Sequence, residues 1–477
     1  MEPPSGELRR QFGFWQATAL NVTMIVGAGV FITPPLMLKE LPGPWAVLGW
    51  LAAGALILVD GLVWAELGAA LPGSGGSYHF LLESYGRERW GKPMAFLFIW
   101  QFMISGPLEL ASGLIAMDTF AQPLSEDWRS FNDRHTMRVT LWEAQDLAVT
   151  LSPSRLAALG VGVLLILLLY RRVTALARLT FALWLGVLAV IAWVLLAGWW
   201  HFDPAVAFDP PAGLPGPGGF VAGVSATMAL ALYSYLGYYN VCYVGDEVRD
   251  PGRTIPRAIL VSALLVVVLF TLLHLAMLGT VSYHEVPIDD DKKLAAFSLP
   301  AEFMKRLYGD WAVKAISLCL IGSCFASVFA GLLGYSRIPF GAARAGHFFS
   351  VVGKVHPTLQ IPHVSLLLVG GMTLFWTFFD LGTVITALIT TRILEQFVAQ
   401  VIGVMVLRRT RPDLPRPFRI WLYPLPCLLA LAGWLFVYFT SQWLFILLGL
   451  GTLVAGVAVY IAWSSRPGDN DAGRLLR

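Results

Sequence analysis

From Phe14 to Trp463 the chain is a succession of apolar runs of about 20 residues, with most of its charge confined to the short stretches between them. Such a run, wound as a helix, matches a hydrocarbon core about 30 Å thick. Lipid offers no partner for backbone N–H and C=O groups, so each run must close its own hydrogen bonds. Of the 477 residues 57% are hydrophobic and only 13% charged, too little charge to cover a soluble globule of this size. The pattern predicts an all-α integral membrane protein. About twelve spans are expected, over residues 12–35, 44–70, 93–121, 156–171, 178–199, 219–246, 256–281, 311–336, 363–379, 382–408, 420–440 and 442–463.

Lys and Arg in short loops set orientation. Arg9, Arg10, Arg87, Arg89, Lys92, Arg171, Arg172, Arg178, Arg249, Arg253, Arg257, Arg337, Arg344, Lys354 and the run "LRRTRPDLPRPFR" all fall on one side, whereas "WWHFDPAVAFDPPAGLPGPG" is nearly free of them. Both termini are therefore expected in the cytoplasm of a multi-pass protein of the plasma (inner) membrane. The same bias accounts for the net charge of +3, which is no argument for nucleic-acid binding. Cys242, Cys319, Cys324 and Cys427 lie in or beside apolar runs without metal-ligand spacing and read as small hydrophobes. The acidic, proline-rich "MEPPSGELRR" does not have the pattern of a cleavable signal. Two non-membrane stretches stand out: 122–155, mixed in charge and expected to form a small folded cap, and "VSYHEVPIDDDKKLAAFSLPAEFMKRLYG", expected to end in a short amphipathic helix.

Two apolar runs carry helix breakers. "NVTMIVGAGVFITPPL" places Gly27, Ala28 and Gly29 mid-run with Pro34 and Pro35 soon after, and "ALALYSYLGYYNVCYVGDEVRDPGRTIPRAI" places Gly237 among tyrosines. A broken span leaves backbone groups that protein must cover or a ligand must use. Close packing of small residues explains one such site alone. Two breaks, each near the start of a five-span half, are the pattern of inverted-repeat transporters.

"VGAGVFITP", "LPGSGGSYHFLLESYG", "GDEVRDPGRTIPRAI" and "YSRIPFGAARAGHF" resemble, in order and spacing, the motifs of the amino acid–polyamine–organocation superfamily, over residues 12 to 463. "GSCFASVFAGLLGYSR" and "LRRTRPDLPRPFRI" look most like the L-type amino-acid transporters, and "GDEVRDPGRTIPRAI" is about as close to plant polyamine transporters. The resemblance implies a LeuT-type five-plus-five inverted repeat: residues 1–11 a cytoplasmic N-terminus, 12–199 and 200–408 the two repeats, 409–463 spans 11 and 12, and 464–477 a cytoplasmic tail. It implies alternating access around a mid-membrane site. The substrate carboxylate would be held by the first break at Ile25, Gly27, Ala28 and Gly29, and the ammonium group by carbonyls of the second, at Tyr233, Ser234, Tyr235 and Gly237. Helix-terminal dipoles agree with that division: N-terminal ends offer donors and positive potential, C-terminal ends carbonyls.

By the same resemblance Tyr233 occupies the place of an aromatic gate; a core or interfacial tyrosine is the alternative. Tyr238 and Asn240 are candidate polar contacts beyond the break. Glu109 and Arg392 fall near the substrate's side chain. Ionisable groups deep in a span pair or line an aqueous cavity. Arg392 and Glu395 are also spaced i, i+3, which by helix geometry makes a structural pair. A free Glu109 would favour a cationic or polyamine substrate, a neutralised one a neutral or polar amino acid. Many relatives carry a Lys in the fifth span that stands in for sodium; that place here is Trp184. Coupling is then exchange, a proton carried by Glu109 or Glu395, or, ranked below these, sodium held with Ser323 or Ser327. Asp246 and Glu247, with Arg249, Arg253 and Arg257, are candidates for an inner gate against Arg337 and Arg344.

An enzyme would need clustered His, Asp or Glu at metal or nucleophile spacing. His274, His284, His347, His356 and His363 are scattered, and no H-E-x-x-H or G-x-S-x-G occurs. No cofactor, metal site, nucleic acid or obligatory protein partner is expected. Channel charge rings are absent as well. The expectation is an amino-acid permease, with a polyamine or cationic amino-acid transporter as one alternative and a non-transporting sensor on the same fold as another.

Overall fold

The computed structural model describes residue 10 and residues 12–465, apart from 28, 74, 143–146, 171–174, 212, 214 and 360, and gives the backbone alone for 175–184. The expectations for Ala28, Arg9, Arg171 and Arg172, and for the side chains of Arg178 and Trp184, lie outside the described residues. In chain order the α-helices are α1 Phe14–Ile25, α2 Gly29–Glu40, α3 Val47–Ala70, α4 Ser77–Ser84, α5 Lys92–Ala121, α6 Glu126–Arg134, α7 Pro153–Tyr170, α8 Ala175–Trp200, α9 Pro204–Ala207 and α10 Pro217–Tyr235. They continue as α11 Pro251–Leu278, α12 Asp291–Ala295, α13 Leu299–Tyr308, α14 Asp310–Tyr335, α15 Arg337–Arg344, α16 His363–Trp376, α17 Leu381–Arg392, α18 Ala399–Thr410, α19 Leu425–Thr440 and α20 Trp443–Ser464. The strands β1, Met137–Trp142, and β2, Leu147–Leu151, pair antiparallel.

Among the described residues eight helices are long and apolar enough to cross a membrane, and the bent pair α1 and α2 makes a ninth. Leu185–Trp200, His363–Trp376 and Leu425–Thr440 are shorter apolar helices. The length of α5 puts it at the centre, where it packs against α14, α17, α16, α7 and α20, while α3 packs against α11, α10 and α19. Large residues fill these seams, among them Trp50, Trp64, Trp434, Phe96 and Phe270, all buried. Their apolar area holds helices together only by shape, because lipid is equally apolar; polar contacts fix the register.

The sequence breaks are chain breaks. The helix α1 stops where Val26 turns extended (φ −76°, ψ 97°), and α2 restarts at an angle of 49°. The helix α10 stops at Tyr235; Leu236 is extended, and Gly237 has φ +112°, which a side chain would strain. The expected span 219–246 is therefore helical only to Tyr235, and Asn240–Tyr243 and Gly245–Glu247 are 3₁₀ turns. A third irregularity had no sequence expectation: Ile393–Val398, between α17 and α18, is a π turn.

Residues 122–155 form the expected small cap, α6 with the hairpin. It is tied to the α16–α17 connection. Thr150 N donates to Phe378 O (2.8 Å) and its hydroxyl to Asp380 Oδ1 (3.0 Å), and Arg138 lies 2.9 Å from Asp380 Oδ2. Buried Arg155 bonds Asp118 of α5 at 2.9 Å and the carbonyls of Thr377 and Phe379 at 2.7 and 2.9 Å. The second stretch ends, as expected, in an amphipathic helix, α13, capped by Ser298.

Candidate functional site

The two breaks face each other and are joined by Asn21. Its Nδ2 donates to Tyr238 O (2.7 Å) and Ser262 Oγ (3.2 Å), and its Oδ1 accepts from Val241 N (2.8 Å). One fully buried amide thus satisfies a carbonyl and an N–H left free where α10 unwinds. A second seam joins α2 to α10, where the hydroxyls of Thr33 and Ser234 lie 3.2 Å apart. A carbon added to Gly29 would stand 3.2 Å from Ser234 Oγ and 3.4 Å from both Ser234 Cα and Tyr233 Cε1, so the glycine lets the breaks approach.

Beside the breaks lies a cavity of about 400 Å³, walled by α1, α5, α8, α10 and α14. Met24, Ile25, Gly27 and Gly29 line it from the first break, and Tyr233, Ser234 and Leu236 from the second. Glu109 and Ser112 line it from α5, and Ser323, Ser327 and Tyr335 from α14. By helix geometry the first turn of α2 presents N–H groups, and the last turns of α1 and α10 carbonyls, toward the break region, although the Tyr233 carbonyl already accepts from Leu236 N (3.3 Å). Tyr233 is held over the cavity by its hydroxyl, 2.8 Å from Ser112 Oγ, which itself donates to Glu109 O at 2.6 Å.

Glu109 is the one charged residue in the cavity wall among the described residues. Its Oε2 is 2.6 Å from Arg392 Nη2; the Arg392 side chain is 3% exposed, that of Glu109 25%. Arg392 Nε also donates to Ser105 Oγ (3.2 Å). Arg392 therefore stands behind Glu109 and is not part of the lining. Among the described residues Arg392 is paired with Glu109 and not with Glu395, which lies in the π turn that begins at Ile393.

Five other candidates are not among the residues that line the cavity. Tyr235 is buried, stacks on Phe270 and donates to Trp50 O (3.2 Å), away from the cavity. Tyr238 donates to Asp60 Oδ2 (2.5 Å), a buried carboxylate that also accepts from Trp64 and Trp434 (3.0 and 3.1 Å). Gly237 and Asn240 pack on one another behind the break. The carbonyl of Glu247 accepts from Phe12 N (3.0 Å), which makes a backbone bridge between the N-terminal segment and the end of the second break.

A second cavity, about 440 Å³, lies under the cap between α2, α5 and residues 290–297 and shares no lining residue with the first. Lys39 of α2 and Asp291 close its side with an ion pair of 2.6 Å. Sequence reasoning missed Asn21, Asp60, Thr33 and Ser112. The available signal was a polar residue inside an apolar run, about one turn from a flagged position for Asn21, Thr33 and Ser112 and with no flagged neighbour for Asp60.

The family described as amino acid permease matches residues 12–463. The chain is 26% identical to a cystine/glutamate transporter of Pongo abelii, over 98% of this chain and 89% of that protein. It is 27% identical to the large neutral amino acids transporter small subunit 2 of Oryctolagus cuniculus, over 96% and 82%. It is 24% identical to the branched-chain amino acid permease BcaP of Bacillus subtilis (strain 168), over 97% and 95%. These relatives are transporters and permeases, not enzymes.

Proposed function

Because the chain belongs to the amino acid permease family, we propose that it carries a neutral or polar α-amino acid across the plasma membrane by alternating access at the cavity between the two breaks. The observation that carries this reading is the pairing of Glu109 with Arg392 at the cavity wall, beside two opposed sets of helix-end backbone groups. Donors at the start of α2, near Gly27 and Gly29, suit a carboxylate; carbonyls ending α1 and α10, from Ile25 to Tyr233 and Ser234, suit an ammonium group. Tyr233, pinned by Ser112, covers the ligand. Glu109 then meets the substrate side chain as half of a neutral pair, which favours hydrogen-bonding or uncharged side chains over polyamines and cationic amino acids.

The architecture we propose is twelve spans, two five-span repeats and two further helices, α19 and α20, with both termini cytoplasmic. Nine span-length candidates and three shorter apolar helices support it. Coupling is exchange or proton symport; Ser323 and Ser327 line the cavity and supply oxygens for the lower-ranked sodium alternative. The chain acts alone in this reading, although one relative is named as a small subunit.

Purified protein in liposomes, with no second polypeptide, is the test. Uptake of labelled neutral amino acids, together with thermal shifts by the same compounds and not by putrescine or spermidine, is the expected result. Shifts only with polyamines, lysine or arginine reverse the substrate assignment, and specific binding with no uptake or exchange makes the protein a sensor.

A further inference from the structure

We propose that Glu395 is the residue that carries a proton through the transport cycle, with Arg392 as the arm that reports its state to the cavity; this rests on the transport reading above. Glu395 sits in the π turn, 3% exposed, and its Oε2 has no hydrogen-bond partner. Among the described residues no Lys, Arg or His lies within ion-pair distance of it.

The ionisable groups on every element packed against that turn are few. The helix α17 contributes Arg392, already committed to Glu109 and Ser105. On α5, Lys92 and Asp118 lie near the ends and Glu109 is bound by Arg392. On α18, Arg408 is held by Glu66 and Arg409 is beside it at the far end. The helix α19 contributes Cys427 and Tyr438, whose hydroxyl is spent on Ile446 O (3.1 Å), and Tyr239, beyond α10, packs edge-on to Phe397 of the turn at 6.1 Å. A buried carboxylate whose Oε2 has no donor and which has no cation within ion-pair distance is costly, and this is the place in the turn where a proton would settle. Glu109, by contrast, already has Arg392 as its partner at 2.6 Å.

Release of that proton creates a charge whose nearest cation is Arg392. In α-helical geometry residues three apart share a face, so winding the π turn back toward an α turn brings the two side chains together. Arg392 then leaves Glu109, and the cavity wall gains an unpaired carboxylate. Taking up a proton reverses this: an O–H bond forms on Glu395, no electrons move, Arg392 returns to Glu109, and the wall is neutral again. The same turn is connected to both breaks. Phe397 stacks on Trp434 at 3.9 Å, Trp434 bonds Asp60, Asp60 accepts from Tyr238, and the Tyr238 carbonyl accepts from Asn21 of α1.

The test compares wild type with Glu395→Gln in liposomes holding a trapped pH dye, using an equimolar mixture of labelled common amino acids. We expect wild type to acidify the lumen as it takes up label. In Glu395→Gln acidification should fall at least tenfold and uptake should lose its dependence on outside pH, while gradient-free exchange stays measurable. Acidification by the variant at the wild-type rate overturns the proposal, as does wild-type exchange with no proton movement; absence of both uptake and exchange in wild type instead defeats the transport reading. A second measurement needs no variant. Dicyclohexylcarbodiimide, which enters lipid and modifies protonated carboxyl groups, should label Glu395 and spare Glu109 when wild type is mapped by mass spectrometry. Labelling of Glu109 with Glu395 untouched overturns the proposal.

Discussion

Replacing Asn21 by Ala removes the amide that joins the two breaks. The structure gives the size of the effect. Val241 N–H and Tyr238 C=O lose the partners they have at 2.8 and 2.7 Å, in a place with no solvent exposure at Asn21 itself. A buried backbone group left unpartnered costs about 1–2 kcal/mol, so the pair costs about 3 kcal/mol, or a factor of about 100 in the unfolding equilibrium. Asn21→Asp should be no better, since it keeps the acceptor for Val241 N but turns an oxygen toward the Tyr238 carbonyl. Reversible unfolding in mixed micelles measures both. Thr410→Ala is the control: that exposed hydroxyl bonds only Val406 O of its own helix (2.9 Å), and its loss should change stability by less than about 0.5 kcal/mol. If Asn21→Ala unfolds within about 0.5 kcal/mol of wild type, the breaks are held by something other than this amide and the reasoning fails.

Gly29→Leu should fill the cavity beside Tyr233 and Ser234 and abolish the thermal shift produced by neutral amino acids, with a monodisperse protein in detergent; an unchanged shift would remove the first break from the site. Glu109→Gln leaves the Arg392 charge uncompensated behind the wall, so thermal-shift screening should show preference moving toward acidic amino acids, and an unaltered ligand profile would separate the pair from selectivity. Glu66→Ala removes the carboxylate paired with Arg408 and the acceptor of the Ile420 N–H, which donates to Glu66 Oε2 at 2.8 Å. It should destabilise the fold by about 3–5 kcal/mol in the same unfolding assay, and a loss under about 1 kcal/mol would contradict the burial argument.

What the sequence made legible was what is local. Apolar runs mark helices because lipid leaves no other solution, and the breaks at Gly27–Gly29 and Gly237 follow from residues that release a helix where they stand. The sequence announced a folded cap over 122–155 but not the hairpin within it. The rest depends on partners far away in the chain. Asn21 meets Tyr238 and Val241, and Asp60 meets Trp434, across hundreds of residues, and no spacing rule encodes such meetings. For Arg392 the sequence left two partners open, Glu395 at i, i+3 and Glu109 on another span; spacing cannot choose between them, and the fold pairs it with Glu109 while Glu395 sits in a π turn. Tyr235 and Tyr233, two residues apart, face opposite sides of α10, so being near the break did not decide which of them lines the cavity.

The cap bears on which parts can separate. At that end of the bundle α5, α7 and the α16–α17 connection are riveted by Arg155, whose guanidinium is buried among Asp118, Thr377 O and Phe379 O. Sliding them apart would strand a charge away from water, at a cost of several kcal/mol. Across the same mouth α2 is held to residues 290–297 by Lys39 and Asp291, whose side chains are 36% and 42% exposed, and a pair so exposed contributes about 1 kcal/mol or less. Of these two fastenings the exposed pair is the one that water can replace at little cost, so it is the contact at this mouth that would part first.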